Sequence, residues 1–220
     1  MEISQTEENY LKIIFKISER DGEPVSTNAI SAEINTTAAS VTDMVKRLSE
    51  KSLIHYERYK GVTLSTEGEK AAKRLIRKHR LWEVFLVTEL NFSWDEVHDI
   101  AEQLEHIKSA ELVERLDKYL GFPKFDPHGD PIPDAAGNFT FRRQYPLSEL
   151  SVGESGIVVG VQDHSATFLQ FLDRMNLGLG AEIQLLERFD YDESIKILNR
   201  SDQEQILSKK VCQNLFIQKK

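Results

Sequence analysis

The placement of proline constrains this chain more than any other feature. Five of its 6 prolines lie between residues 123 and 146, a density that interrupts helices and central strands alike. Before that stretch, apolar residues recur at helical spacing; from Leu147 onward the texture is that of short strands. A chain of 220 residues split in this way is expected to be an α+β protein of several small domains, with spans 1–73, 74–140 and 147–220.

The first span reads as three helices and a hairpin. Tyr10, Leu11, Ile14, Phe15 and Ile17 give a helical period that Thr6 could cap, and Asp21-Gly22 ends it. Pro24 and Ser26 open a second helix, Asn35-Thr36-Thr37 is a turn, and a third helix runs from Ala38 to Glu50 with Val41, Met44, Val45 and Leu48 on one face. Two short helices joined by a tight turn form a helix-turn-helix. The opposite face of the third helix is small and polar, which suits entry into a major groove: Thr37, Ala39, Ser40, Thr42 and Asp43 are expected to read bases. Residues 53–64 read as two strands around Lys60-Gly61, a basic wing. Lys46, Arg47, Arg58 and Lys60 are expected to contact phosphates. Net charge is −8, against indiscriminate nucleic-acid binding, yet residues 46–80 hold 11 Lys/Arg against 4 Asp/Glu, so the positive charge is local.

The second span carries the chemistry. A long helix over residues 67–89 has a basic first half and an apolar second half (Leu81, Trp82, Val84, Phe85, Leu86, Val87) that needs a partner, within the chain or across a dimer. The next helix starts at Trp94-Asp95-Glu96 after Ser93, and another runs from Ser109 to Tyr119. His79 and Glu83 lie four apart; His98, Glu102, Glu105 and His106 follow at spacings of four, three and one. Residues three and four apart share a helix face, so two helices each present a His/Glu stripe. Imidazole with carboxylate suits a divalent ion such as Mn, Fe, Co or Zn. HExxH, a nucleophile elbow and a glycine-rich phosphate loop are all missing from the sequence, and no enzymatic activity or small organic substrate is expected.

The last span shows strand signals at 155–161, 183–186, 195–198, 205–207 and 214–217, with a short helix over 168–175, and predicts a small β-barrel. Cys212, the single cysteine, sits in an apolar-alternating segment and reads as a buried structural thiol. A lone cysteine, an acidic polar N-terminus and the lack of a long apolar run fit a cytoplasmic protein without a membrane partner.

Five segments carry a family resemblance: TEENYLKIIF at 6–15, SVTDMVKRLSEKSLI at 40–54, RKHRLWEVFL at 77–86, HDIAEQLEH at 98–106 and DPHGDPIP at 126–133. The chain resembles the diphtheria-toxin-repressor family of metal-dependent regulators in its three-domain form, and FLDRMNLGLGAEIQLLE at 171–187 is similar to the SH3-like domain of ferrous-iron transport accessory proteins. The resemblance implies an N-terminal winged helix-turn-helix, a helical dimerisation domain and a C-terminal SH3-like β-barrel. It implies a homodimer that binds double-stranded operator DNA when loaded with metal and represses metal-uptake genes. Carried over, one metal site uses Asn9, Glu102, Glu105 and His106, and the other His79, Glu83 and His98, with Asp126, His128 and Asp163 as further ligands. Glu102 stands where iron-responsive members carry a thiol, which points to Mn(II), with Fe(II) the alternative. Asn9 stands where manganese sensors carry Asp, and Lys12 where small manganese sensors carry a second Glu.

Overall fold

The structure, a computed structural model, describes residues 2–57, 59–200 and 202–220. It divides into two compact units, the first comprising Met1–His79, Leu104–Ser109 and Pro133–Asn138, the second Arg80–Gln103, Ala110–Ile132 and Phe139–Lys220.

In the first unit, helix α1 (Gln5–Asp21) is followed by α2 (Thr27–Ile34) and α3 (Ala38–Glu50), then by strands β1 (Ile54–Glu57) and β2 (Gly61–Leu64). Helix α1 begins two residues earlier than Thr6 suggests: Ser4 is the cap, accepting from Glu7 N while the Glu7 carboxylate accepts from Ser4 N. That reciprocal pair satisfies two of the orphan donors at a helix start. Tyr10, Leu11, Ile14, Phe15 and Ile17 are buried as their spacing predicts. Asn35, left-handed at φ 55°, ends α2, and Thr37 caps α3 by accepting from Ser40 N. The hairpin pairs Ile54 with Leu64 and Glu57 with Gly61, and Val25 and Val62 exchange both backbone hydrogen bonds at 2.8 Å beside it. Gly61 is required there, since at φ +111° an added Cβ would meet the Val25 carbonyl oxygen at 2.7 Å.

Helix α4 (Thr66–Leu90) passes from the first unit into the second. Its apolar C-terminal half buries Leu81, Trp82, Val84 and Leu86, with Trp82 and Phe85 meeting edge to face at 5.8 Å. Helices α5 (Val97–Leu104) and α6 (Ala110–Tyr119) follow. Helix α5 starts after the turn at Ser93-Glu96 rather than at Trp94. Gly121 and Phe122, both at positive φ, close the helical part.

The C-terminal part of the second unit holds β3 (Tyr145–Pro146), β4 (Ser155–Val161), α7 (Ala166–Arg174), β5 (Glu182–Arg188), β6 (Ile195–Asn199), β7 (Glu204–Leu207), α8 (Lys209–Asn214) and β8 (Leu215–Lys219). The strands form one antiparallel sheet in the order β3-β8-β4-β5-β6-β7. Register shifts at Val158/Gly160 and Leu185/Glu187 mark irregularities of the kind that bend strands around a core. Val158, Leu172, Ile183, Leu185, Ile197 and Leu215 are among the side chains that fill that core.

One local expectation needs correction. Cys212 lies on α8, not in an alternating strand, because Ser208 caps the segment by accepting from Val211 N. The thiol is buried nonetheless, and burial pushes it up to about 11. Since the thiolate is the reactive form, Cys212 should resist iodoacetamide in the native protein at mildly alkaline pH and react fully once urea unfolds the chain, as mass spectrometry would record. Rapid native alkylation would show the packing around α8 to be loose.

Candidate metal centre and nucleic-acid interface

The exposed face of α3 carries the residues expected at DNA. Thr37, Ala39, Ser40 and Asp43 are exposed and Thr42 is half-buried. Some of their polar capacity is already used: the Thr37 and Ser40 hydroxyl oxygens lie 2.9 Å apart, and the Thr42 hydroxyl donates to the Ala38 carbonyl at 2.8 Å. These bonds orient the hydroxyls at the helix start and leave lone pairs for a ligand. Arg47 and Lys46 are exposed, Lys46 Nζ 3.7 Å from Asp43, and Lys60 on the wing pairs with Glu57 at 2.6 Å. Arg58 lies outside the described residues.

The first unit brings together Glu105, His106 and the start of α1. Glu105 has no exposed surface. Lys12 Nζ, itself only 3 % exposed, lies 2.6 Å from Glu105 Oε1, and His79 Nδ1 lies 2.7 Å from Oε2. Burial raises the Glu105 carboxyl, but His79 and Lys12 outweigh it and hold the group below its ordinary value. His106 Nδ1 is 2.7 Å from Glu8 and its Nε2 3.7 Å from Glu105. The Asn9 side-chain oxygen is buried and, among the described residues, has no hydrogen-bond partner. An orphaned buried carbonyl is costly unless a donor or a cation meets it. The partners Lys12 and Glu8 were not legible as such: Lys12 stood out only as a cation where an acid was expected, and Glu8 as one acid among several.

The second unit holds Glu83, His98, Glu102, Asp126, His128 and Asp163. Glu83, on α4 one turn after His79, is buried; its Oε1 lies 3.5 Å from His98 Nδ1. Glu102 is about half exposed and 3.8 Å from the other His98 nitrogen. Glu83, Asp126 and His128 are all buried, and one ligand atom from each falls within 4.8 Å of the others. Burial, then repulsion from Asp130 and Glu83, pushes Asp126 up to about 7. Burial lowers His128, but Glu83 and Asp126 outweigh it and raise the imidazole to about 9. The Asp163 carboxylate accepts from Ser165 N at 2.9 Å, ahead of α7. The donor set of carboxylates and imidazoles fits a divalent ion that prefers oxygen and nitrogen.

The chain matches the family models for the iron-dependent repressor N-terminal DNA-binding domain over residues 2–62, the iron-dependent repressor metal-binding and dimerisation domain over 65–134, and the FeoA domain over 145–219. It belongs to this family of metal-dependent transcriptional repressors. Among relatives, it is 32% identical over 132 residues to the iron-dependent repressor IdeR of Mycobacterium leprae, spanning 60% of this chain and 57% of IdeR. It is 30% identical over 119 residues to the transcriptional regulator MntR of Oceanobacillus iheyensis, spanning 54% of this chain and 80% of MntR. A solved manganese-dependent transcriptional repressor in complex with manganese shares 33% identity at a TM-score of 0.87, covering 97% of this chain and 99% of that one.

Breaking a buried pair leaves an uncompensated charge and costs about 3–5 kcal/mol. Lys12→Met should therefore lower the stability of the metal-stripped protein by about 3 kcal/mol, read from urea unfolding followed by circular dichroism. An unchanged midpoint would show that Glu105 does not depend on Lys12.

Proposed function

We propose that this chain is a cytoplasmic, homodimeric repressor that binds double-stranded operator DNA when loaded with Mn(II) and thereby controls metal-uptake genes. The observation that carries the metal is the likeness, at a TM-score of 0.87, to a manganese-dependent repressor holding manganese. The oxygen-rich donor set supports the same ion, since Glu102 takes a position where a softer ligand would favour other metals. Fe(II) is the second reading, favoured by the 32% identity to IdeR. Among the described residues no helix is long and apolar enough to cross a membrane.

In this reading residues 1–73 are the DNA-binding domain, 74–140 the metal-binding and dimerisation domain and 147–220 the SH3-like domain. One cation is held by Asn9, Glu102, Glu105 and His106. Another is held by His79, Glu83 and His98, with Asp126, His128 and Asp163 as additional donors. The orphaned Asn9 oxygen supports the first set, and the approach of His98 to Glu83 the second. The bound ion neutralises carboxylates that otherwise repel, and it favours the DNA-competent state by its differential affinity for the two states. Thr37, Ala39, Ser40, Thr42 and Asp43 read bases, while Lys46, Arg47, Arg58 and Lys60 hold phosphates. Leu112, Tyr119 and Phe122 are exposed on and after α6 and support a two-fold contact, which would set two recognition helices about 34 Å apart or a multiple of that.

Fluorescence anisotropy of operator DNA at buffered free metal tests the reading: Mn(II) should promote binding at lower free concentration than Fe(II), Co(II) or Zn(II). His106→Ala should abolish the metal stimulation while the chain stays folded. Metal-independent binding by the parent protein would overturn the proposal.

The DNA face gives a separate expectation. Arg47→Ala should weaken binding to operator and random DNA alike and lower the slope of log affinity against log salt by about one. An unaltered slope would remove Arg47 from the footprint.

A further inference from the structure

Two nitrogens approach the same oxygen of the buried Glu105 carboxylate. Lys12 Nζ lies 2.6 Å from Oε1, and His106 Nε2 lies 3.7 Å from it. The other His106 nitrogen, Nδ1, is 2.7 Å from Glu8 Oε2. A carboxylate only accepts, so Nδ1 carries a proton, and in the neutral ring Nε2 turns a lone pair toward Glu105. At 3.7 Å these two acceptors are beyond hydrogen-bond reach, and the group that neutralises Oε1 is Lys12. Asn9, three residues before Lys12 on α1, shares its helix face. Among the described residues, its buried side-chain oxygen has no hydrogen-bond partner. Carboxylate, amide oxygen and imidazole nitrogen are donors for a divalent ion, yet an ammonium already sits on the carboxylate.

The charge in this part of the first unit is already matched. Glu8 and Glu105 supply two carboxylates. Lys12 faces Glu105, and Lys78, half-buried on α4, interacts with both acids. Two ammonium groups thus stand against two carboxylates before any ion arrives, and an incoming divalent ion meets no net negative charge. Its repulsion from an ammonium on the same oxygen is strong where solvent is excluded, and Lys12 is only 3 % exposed while Glu105 has no exposed surface. The ammonium has somewhere else to go. Its four-carbon stem is flexible, and Glu8 stands one turn back on the same face of α1, a carboxylate within its reach.

We propose that Lys12 is the resident cation of this site: its ammonium neutralises Glu105 in the metal-free protein, a divalent ion must displace it to bind, and Lys12 thereby sets the metal concentration at which the site fills. This rests on the reading that Glu105 and His106 bind metal. A tethered competitor lowers the apparent affinity by the fraction of time it leaves Glu105 unoccupied. It also discriminates by charge. A monovalent ion replaces one positive charge with another and gains nothing, whereas a divalent ion adds a charge against Glu105 and Glu8. The stability that Lys12 contributes to the metal-free protein and the metal affinity it withholds are one coupling seen from two sides.

The test uses the full chain stripped of metal and titrated with Mn(II) alone, read by calorimetry and by urea unfolding with and without the ion. Lys12→Met and Lys12→Gln remove the charge, whereas Lys12→Arg keeps it. Lys12→Met and Lys12→Gln should each bind one equivalent of Mn(II) about a hundredfold more tightly than the parent, and Lys12→Arg should stay close to the parent. The tightened equivalent should vanish on adding His106→Ala. Mn(II) should also raise the urea midpoint of Lys12→Met further than that of the parent. Circular dichroism in chelator checks that each variant is folded; if Lys12→Met does not fold without metal, Lys12→Gln, which keeps a hydrogen-bond donor for Glu105, decides. Unchanged or weaker Mn(II) affinity in folded Lys12→Met or Lys12→Gln overturns the inference and leaves Lys12 a structural partner of Glu105 only. Equal tightening in Lys12→Arg overturns it as well, since removal of a charge is then not what the ion gains. If His106→Ala leaves the parent's Mn(II) binding unchanged, the underlying metal reading fails, whatever the Lys12 variants do.

Discussion

A carboxylate with no surface, Glu105, sets the internal arrangement of the first unit. An ion of that kind is tolerated in an apolar interior only when its charge is met at short range. Here Lys12 meets one oxygen from α1 and His79 meets the other from α4. Two helices far apart in sequence are thereby aligned on a residue that follows α5, and His106, the next residue, is carried into contact with Glu8. Helices α1 and α4 cannot shift at Lys12 and His79 without exposing or stranding this group. The groups proposed to meet a cation are therefore among those that fix α1 and α4 within the unit that also carries α3.

How far the sequence discloses this is uneven, for physical reasons. Helical period located α1 through α4 closely, because each buries one face and its apolar residues must recur on it. The turn before α3 and the exposed polar face of α3 were equally readable. Caps were less so: Ser4 with Glu7 competes with Thr6 for the same role, and only the backbone geometry decides. Helix α8 was missed because six residues are too few for a helical period to separate from strand alternation. In the site, spacing along a helix pairs His79 with Glu83, but it cannot say that Lys12 meets Glu105, that Glu8 meets His106, or that the Trp94 carbonyl accepts a hydrogen bond from His128 Nε2. Those contacts join residues dozens of positions apart, and local pattern carries no information on them.

The charge distribution separates the two tasks of the chain. Among the described basic residues between 46 and 80, Lys46, Arg47, Lys60, Lys70 and Arg74 are exposed, where salt and phosphate compete for them, whereas Arg77 is buried. The acidic residues of greatest chemical interest, Glu83, Glu105 and Asp126, are buried, where solvent screens them least. A net charge of −8 is thus compatible with binding a polyanion, since repulsion from exposed acids far from the DNA face is screened over about 10 Å.

The C-terminal sheet ends on one side in β3, only two residues long, and its second residue is Pro146, which has no N–H to offer a neighbouring strand. On the other side is β7, where Glu204 lies on the edge strand and Ile206 is 60 % exposed. Unpaired strand edges invite another copy to add on. Wherever several copies are held close together, such sheets meet at high local concentration. The proline-blunted edge removes one of the two surfaces needed for head-to-tail extension, so strand pairing between neighbouring copies can stop at a pair and cannot propagate into a fibre.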